Sequence, residues 1–256
     1  MDLEEIISQE VPEIEMDTVV WMSDQHVPYH DKKTHRACLK LLNYLQPDVL
    51  VIGGDFVDFY SVSQYDKDPR RAHKLQPELN KAKEMLGEIR EVAPDTRIVY
   101  LEGNHETRLV RYLKKHPELW GLDALKMEEL LDLGSTDIEY KEHFMYHQFL
   151  FKHGDYVNKY AANKEMEVEG VSGMSGHTHR NQVMTKNTRG GDTAWYNIGH
   201  LSDEKFADYI TGIPNWQQGL AVIYFKKGRG KRRFQVHMVP ITKSKFIFDG
   251  REFDGT

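Results

Sequence analysis

Residues 18–55 read TVVWMSDQHVPYHDKKTHRACLKLLNYLQPDVLVIGGD, and this stretch decides the fold of the first half of the chain. A short apolar run, Thr18–Met22, ends in polar residues, and a second run, Asp48–Gly54, ends at Asp55. Between the two runs, apolar residues recur with the spacing of one helix face: Cys38, Leu41, Leu42 and Leu45. We therefore predict a strand, an amphipathic helix and a second strand.

The same alternation continues to about residue 103. A second helical stripe follows, and the run Arg97–Gly103 then predicts a third strand before Asn104. Strands that alternate with helices form right-handed crossovers and pair largely in parallel. Because crossover helices cover such a sheet, its strands are nearly continuously apolar, as these are. The second helical stripe consists of Leu79, Ala82, Leu86, Ile89 and Ala93.

The second half of the chain has a different pattern, with strand candidates that follow one another with little helix between them. This pattern predicts a second, more antiparallel or mixed sheet packed against the first, and a terminal strand or hairpin after Lys243. No repeat and no Ser/Pro/Gly-rich linker divides the sequence, so we expect one domain over residues 1–256. The candidates are Phe144–Lys152, Gly170–Met174, Ala194–Ile198, Leu220–Phe225 and Arg233–Pro240.

Composition excludes several classes of protein. The chain of 256 residues is 39% hydrophobic and 29% charged, unlike disordered or low-complexity proteins. Its 34 basic and 40 acidic residues give a net charge of −6, which argues against general polyanion binding but leaves room for a local basic patch. The one cysteine, Cys38, suits a reducing compartment. With no secretory segment or apolar run of 18 residues in the sequence, we expect a cytoplasmic protein that does not bind membranes.

Five predicted strands each end in carboxylate, amide or imidazole groups, where the ligands of α/β sheets bind. Together these groups suit Mn²⁺, Fe or Zn²⁺, and no thiolate is among them. Two divalent ions about 3.5–4 Å apart need an anionic bridge, and Asp55 after a Gly-Gly turn is well placed to supply it. The five segments are Asp24-Gln25-His26, Gly53-Gly54-Asp55, Gly103-Asn104-His105-Glu106, His153-Gly154-Asp155 and Gly176-His177-Thr178-His179.

Each segment alone has a simpler explanation. A single D-x-H is most often a turn carboxylate beside a surface histidine, and GGD is usually only a turn. The GNHE segment also fits a helix start, with Asn104 as the cap and Glu106 in the first turn. The argument for a metal site rests on the five segments occurring together, in this order, each after a strand.

With these motifs the sequence resembles the calcineurin-like metallophosphoesterase superfamily. The segments DQH, GGD, GNHE, HG and GHTH match the family pattern in order, from Asp24 to His179. The resemblance implies an α/β fold in which two mixed sheets form a sandwich flanked by α-helices. It also implies a phosphoesterase that carries two divalent metal ions, for which we expect manganese, with iron, zinc and nickel as alternatives.

The resemblance also implies roles for individual residues. His105 would protonate the leaving group, and Asp58 would orient His105. The family has Arg-Gly after this aspartate where this chain has Phe59-Tyr60, so Arg108 is our candidate for the missing phosphate-binding arginine. The implied ligands of one metal are Asp24, His26, Asp55 and His179, and those of the other are Asp55, Asn104, His153 and His177.

The implied reaction is hydrolysis of a phosphate ester by in-line attack of a hydroxide that bridges the two metals. The compact chain has no obvious cap insertion, which favours a phosphodiester, a nucleotide or nucleic acid as substrate. A phosphomonoesterase acting on phosphoproteins or small molecules is the first alternative, and a non-catalytic metal-binding scaffold is the second. Asn104, Arg108 and His200 are the candidate substrate-binding residues.

A basic run, Lys226 to Arg233, lies between two strand candidates and carries six positive charges. It is either a solvated hairpin tip or a contact for a nucleic-acid backbone, which would bind without sequence preference. We therefore name nucleic acid as a candidate partner through this run. The sequence does not indicate an oligomeric state.

Overall fold

The computed structural model describes residues 13–64, 67, 74–203, 205, 213–228 and 233–256. The helices in these ranges are α1 (Lys32–Leu45), α2 (Leu75–Val92), α3 (Glu106–Lys114), α4 (Met127–Leu130) and α5 (Ala161–Glu169). The strands are β1 (Met16–Met22), β2 (Val49–Ile52), β3 (Arg97–Leu101), β4 (Ile138–Lys141), β5 (His143–Tyr146), β6 (Phe149–Lys152), β7 (Gly173–Ser175), β8 (Gln182–Thr188), β9 (Gly191–Asn197), β10 (Gln218–Lys226), β11 (Phe234–Ile241), β12 (Lys245–Phe248) and β13 (Arg251–Asp254).

The strands form two larger sheets and a small hairpin. The first sheet has the order β11-β10-β1-β2-β3-β4, in which β1 to β4 are parallel and β10 and β11 are antiparallel. The second has the order β5-β6-β7-β9-β8, with parallel pairs in its centre and antiparallel pairs at its edges. Both sheets are mixed, so the predicted α/β fold with two mixed sheets and flanking helices is confirmed.

Alternation along β1 explains how the layers pack. Val20 and Met22 lie in one apolar cluster with residues of α1 and α2, whereas Val19 and Trp21 face the second sheet. Successive side chains of a strand point to opposite faces, so β1 is buried on both sides. Trp21 stacks on Phe151 of β6 between the two sheets, with ring centroids 6.0 Å apart. The α5 helix covers the outer face of the second sheet, where its Ala162 and Met166 pack in one cluster with Trp195 of β9.

The assignment of β10 and β11 to the second sheet was wrong. β10 pairs antiparallel with β1, from Met16↔Lys226 to Trp21↔Ala221, and β11 continues the same sheet beyond it. Several consecutive residues of β10 are buried because the strand lies inside the sandwich. Order along the chain therefore placed these strands incorrectly, since a neighbour in sequence need not be a neighbour in the sheet.

Two further details differ from prediction. Phe144–Lys152 is not one strand but the hairpin β5–β6, which turns at His147 and Gln148, both with positive φ. The stretch Gly170–Met174 begins at a glycine that ends α5 in the left-handed conformation, so its strand is only the short β7. After Lys243 the predicted hairpin is present as β12–β13. Among the described residues, none of the helices is long and apolar enough to cross a membrane.

Candidate metal centre

The loops that follow β1, β2, β3, β6 and β7 meet at one end of the sandwich. In the first sheet the Asp24 N–H donates to the Gly54 carbonyl at 3.1 Å, and the His26 N–H donates to the Asp55 carbonyl at 2.9 Å. In the second sheet the Gly176 N–H donates to the His153 carbonyl at 2.9 Å. All five segments predicted to carry polar groups therefore lie at the same site.

One cluster of potential metal ligands consists of Asp24, His26 and His179, which are all buried. The Asp24 Oδ1 lies 3.2 Å from His179 Nε2, and the two Nε2 atoms of His26 and His179 are 3.1 Å apart. One ligand atom from each of the three residues lies within 4.8 Å of the others. This spacing suits a single divalent cation.

A second cluster consists of Asp55, His153 and His177. The Asp55 Oδ2 lies 3.2 Å from His153 Nε2, which is in turn 3.2 Å from His177 Nδ1. The Oδ1 of Asn104 lies 3.0 Å from the same His153 nitrogen and adds a fourth potential ligand. The Asp55 Oδ2 is also 4.0 Å from His26 Nε2, so Asp55 lies between the clusters.

The histidine pairs show that the residues fit metal ions. In each cluster two imidazole nitrogens face one another at 3.1–3.2 Å. A neutral imidazole has one nitrogen with a free lone pair, which can accept a hydrogen bond or bind a metal. One cation can bind the lone pairs of two such imidazoles at once. The set of carboxylates, imidazoles and one amide, without thiolate, is chemistry that borderline divalent ions prefer. These buried His/Asp clusters are consistent with a binuclear metal site.

The electrostatics of the site are those of tightly coupled acids and bases. Burial opposes the ionised form of Asp24, but the hydrogen bond and charge of His179 outweigh it and hold its pKa well below the ordinary value. Burial also opposes the charged form of His153, yet the Asp55 carboxylate raises the pKa of this imidazole to about 10. Burial lowers the pKa of His179 to about 4. Burial also opposes the charged form of His26, but the hydrogen bond to Asp58 and the nearby carboxylates raise its pKa, so His153 and His26 both favour the protonated form.

The backbone of the site is strained. Five of the seven predicted metal ligands have positive φ, between 50° and 64°, although none is glycine. Such residues are uncommon and cost of order 1–2 kcal/mol each. Strain of this kind is found where the surrounding structure holds side chains in a required position. The five are Asp24, His26, Asp55, His177 and His179.

The predicted proton donor His105 lies beside the ligand clusters. Its Nδ1 is 3.0 Å from Asp58 Oδ1, and the same oxygen lies 3.2 Å from His26 Nδ1. Hydrogen bonds from the two histidines outweigh burial and hold the pKa of Asp58 far below its ordinary value. The Asp58 carboxylate is thus placed to orient both a predicted ligand and the predicted acid.

Arg108 contacts both Asp58 and His105. Its Nη1 donates to the Asp58 carbonyl at 2.8 Å, and its Nη2 donates to His105 Nε2 at 2.7 Å. In this arrangement Nε2 accepts, so His105 must be released from Arg108 before that nitrogen carries a proton to a leaving group. Phe59, which replaces the expected arginine, is fully buried with its side chain in the core.

Glu106 has a role that the sequence analysis did not predict. Its buried carboxylate accepts backbone N–H groups from Gly103, Asp55, Phe56 and Val57 at 2.8–3.2 Å. The hydroxyl of Tyr100 donates to it at 2.6 Å. A glutamate at the first turn of α3 therefore fixes the loop that carries Asp55. The feature of the sequence that could have indicated this role is the position of Glu106 directly after Asn104 and His105.

His200, predicted to contact substrate, is fully buried. Its ring lies behind His179 at 4.9 Å, and its Nδ1 is 2.8 Å from the Ser202 hydroxyl. The half-buried Trp216 packs against both histidines, with its ring 4.4 Å from that of His179. This placement gives His200 a supporting position behind a ligand and leaves it closed to substrate.

The described start of the basic run Lys226–Arg233 lies far from the metal centre. Its residues 229–232 are outside the described residues, but Lys226 pairs with Met16 at the start of β1. Asp24 follows the opposite end of that seven-residue strand. At roughly 3.3 Å per residue, the two ends are about 20 Å apart. A small substrate at the metal centre would therefore not reach Lys226.

The fold and the site together define an α/β protein with a candidate dimetal centre of the phosphoesterase type. The sequence profile described as calcineurin-like phosphoesterase matches residues 18–210. The chain belongs to this family, and the resemblance identified from its motifs is confirmed.

Related sequences and structures cover nearly the whole chain. It is 26% identical to the Gene 54 protein of Mycobacterium phage L5 and 28% identical to that of Mycobacterium phage D29, over 92% of this chain and 98% of each relative. Similar solved structures include Vacuolar Protein Sorting 29 from Cryptosporidium parvum (TM-score 0.47, 14% identity, 94% of this chain and 96% of that chain). A dimetal phosphatase from Danio rerio is also similar (TM-score 0.42, 11% identity, 86% of this chain and 98% of that chain).

Proposed function

We propose that the protein is a binuclear metal-dependent phosphoesterase that hydrolyses phosphodiesters. The observation that carries the proposal is the position of Asp55 between two buried clusters, with its Oδ2 3.2 Å from His153 Nε2 and 4.0 Å from His26 Nε2. A carboxylate so placed can bridge two cations. Bound there, the cations would lower the pKa of water and neutralise charge on the phosphate.

The residues of the chain have separate tasks in this proposal. One cation would be held by Asp24, His26, Asp55 and His179, and the other by Asp55, Asn104, His153 and His177. His105 donates a proton to the departing oxygen, and Asp58 orients its imidazole through the 3.0 Å contact. Arg108 leaves His105 and binds a phosphate oxygen of the substrate.

The preference for a diester follows from the groups around His105. A monoester phosphate carries one more negative charge than a diester and is commonly bound by arginine in a bidentate manner. The position after Asp58 supplies no such arginine, because Phe59 lies in the core. Arg108 contacts His105 and Asp58 instead, and it already donates to both of them.

Hydrolysis of two chromogenic substrates tests this proposal. Bis(p-nitrophenyl) phosphate and p-nitrophenyl phosphate are compared with Mn²⁺ present, for the parent and for Asn104→Ala. We expect a higher kcat/KM on the diester and a fall of at least tenfold in the variant, which lacks one ligand. Asn187→Ala, at an exposed asparagine of β8, is the matched control and should retain full activity.

The two alternatives give different results. A higher kcat/KM on the monoester, lost in Asn104→Ala, would establish the phosphomonoesterase in place of the diesterase. Two bound metals without hydrolysis of either ester would favour the metal-binding scaffold. The choice of manganese is tested in the same assay by replacing it with iron, zinc or nickel.

A further inference from the structure

A cavity of about 330 Å³ opens directly beside the candidate metal centre. Asn104, a predicted ligand, lies in its wall, and Arg108 separates it from His105. The rest of the wall comes from one side of α3 with the turn that follows it, and from residues 62–64 after β2. Cavities of this size take small ligands or single nucleotide units.

The described lining of this cavity is positively charged, although the chain as a whole has a net charge of −6. Arg108, Arg111 and Lys115 line it at positions i, i+3 and i+7, which share one face of a helix, and none of its described lining residues is acidic. Arg111 and Lys115 are exposed, and neither has an acidic partner within the described part of the chain. Two cations are thus available to an incoming anion.

The cavity also has an aromatic wall. The Tyr112 side chain is 37% exposed and stacks on His116, with ring centroids 4.1 Å apart and an angle of 24° between the planes. Exposed aromatic rings next to cationic groups are the usual means of binding single-stranded nucleic acid without sequence preference. The cations bind the backbone, and the bases stack on the rings.

The position of His105 indicates which part of a substrate enters the cavity. Arg108 Nη2 lies 2.7 Å from His105 Nε2, so the cavity adjoins the group proposed to protonate the leaving oxygen. The leaving group therefore departs on this side. We propose that the cavity binds the leaving nucleotide of a short single strand, with its next phosphate on Arg111 and Lys115 and its base against Tyr112. This inference rests on the proposed phosphodiesterase function.

Two substrates with the same reaction but different leaving groups test the inference. Hydrolysis of bis(p-nitrophenyl) phosphate and of single-stranded (dT)6 is measured for the parent, for the double variant Arg111→Gln/Lys115→Gln, and for Tyr112→Leu. We expect the double variant to lose at least tenfold more kcat/KM on (dT)6 than on the small diester. Tyr112→Leu should lose about fivefold or more on (dT)6, as expected for one stacked base.

Matched controls and the dependence on salt make the test specific. Lys164→Gln/Lys186→Gln removes two exposed lysines elsewhere, and Trp120→Leu removes an aromatic ring that is 55% exposed. Both controls should match the parent on (dT)6. Each lost phosphate contact reduces the salt slope of single-strand binding by about 0.7, so the double variant, which loses the contact to one phosphate, should lose about 0.7.

Several results would overturn the inference. Equal losses on both substrates would mean that the cations support the metal centre only. A second such result is that the double variant loses activity on (dT)6 while Tyr112→Leu does not, and that tripolyphosphate at matched charge inhibits hydrolysis. The ligand of the cavity would then be a polyphosphate without a base. If the parent hydrolyses neither substrate, the proposed function fails, and anisotropy of labelled (dT)6 in EDTA decides the inference separately. Weaker binding in the double variant supports it, and unchanged binding contradicts it.

Discussion

The carboxylate of Glu106 accepts the backbone N–H of Asp55 at 2.9 Å, across 51 residues of sequence. The residue that follows the predicted proton donor thus holds in place the loop of the predicted bridging ligand. Gly103 makes this contact possible, because a Cβ there would overlap the Asp55 carboxylate and the Glu106 carboxylate. The third and second strands are tied together through one buried acid.

Glu106→Gln should therefore damage both stability and metal binding. The amide nitrogen of the glutamine cannot accept a hydrogen bond. If it takes the place of Oε2, the N–H groups of Gly103 and Asp55 lose their acceptor, and if it takes the place of Oε1, the donors bound there lose theirs. Leaving buried donors unpaired should lower the free energy of unfolding by about 3 kcal/mol. Chemical denaturation and metal analysis check this, with the exposed Glu129→Gln as control. A variant as stable as the parent, with full metal content, would contradict the assigned role.

Metal binding should release a proton from His153. Its pKa of about 10 means that the metal-free protein carries this proton at neutral pH, whereas a ligating imidazole must be neutral. Between pH 7 and 9, affinity for Mn²⁺ should therefore rise about tenfold per pH unit. Calorimetry in buffers of different ionisation enthalpy would count the proton. Affinity that does not change with pH would show that His153 is already neutral.

His105→Ala should lose turnover unequally among substrates. A poor leaving group needs protonation as it departs, and general acids contribute about 10²–10⁴-fold to such steps. An activated leaving group such as p-nitrophenolate needs little help. The kcat values on phenyl and p-nitrophenyl diesters of thymidine 5′-phosphate measure the difference. Equal losses on both esters would remove His105 from the proton transfer and leave it a binding role.

Glu78 should make stability depend on pH. Burial, together with the charge of Asp58, raises the pKa of this acid to about 8, and the Phe59 N–H donates to it. The raised pKa means that the folded protein retains a proton that the unfolded chain loses near pH 4.5. The contribution of Glu78 to the free energy of unfolding is therefore complete at pH 4.5 and below, and it declines as the pH rises to about 8.

The variant Glu78→Gln tests this dependence, because it mimics the protonated acid at every pH. Between pH 5.5 and 8.5 the parent should lose on the order of a few kcal/mol of unfolding free energy relative to the variant. Urea denaturation at the two pH values gives the comparison. The same pH slope in both proteins would show that Glu78 is ionised when folded.

The local patterns predicted the centre of the fold well. β1, β2 and β3 were found because parallel strands buried on both faces are continuously apolar, and α1 because its stripe is regular. β4 was missed because IEYK at the sheet edge is mostly half-buried and lacks such a pattern. The pairing of Val19 with Ile223 is not visible in either segment, since it depends on how the whole chain closes.

In the candidate site, too, features that depend on local sequence were predicted and those that depend on distant contacts were not. The segments that carry Asp24, His26 and the other candidate ligands were found from residue type and spacing, and the assignment of each ligand to a metal came from the resemblance to the family. The tasks of Glu106 and Glu78 were not predicted, because each is defined by backbone groups distant in sequence. His200 was judged from its position after an apolar run, which does not reveal that it lies behind His179.

The most direct test of the two-metal centre is an anomalous difference map from crystals grown with Mn²⁺. We expect two peaks about 3.5–4 Å apart. One should lie among Asp24, His26 and His179, and the other among Asn104, His153 and His177, with Asp55 touching both. A single peak, or peaks away from these residues, would contradict the account.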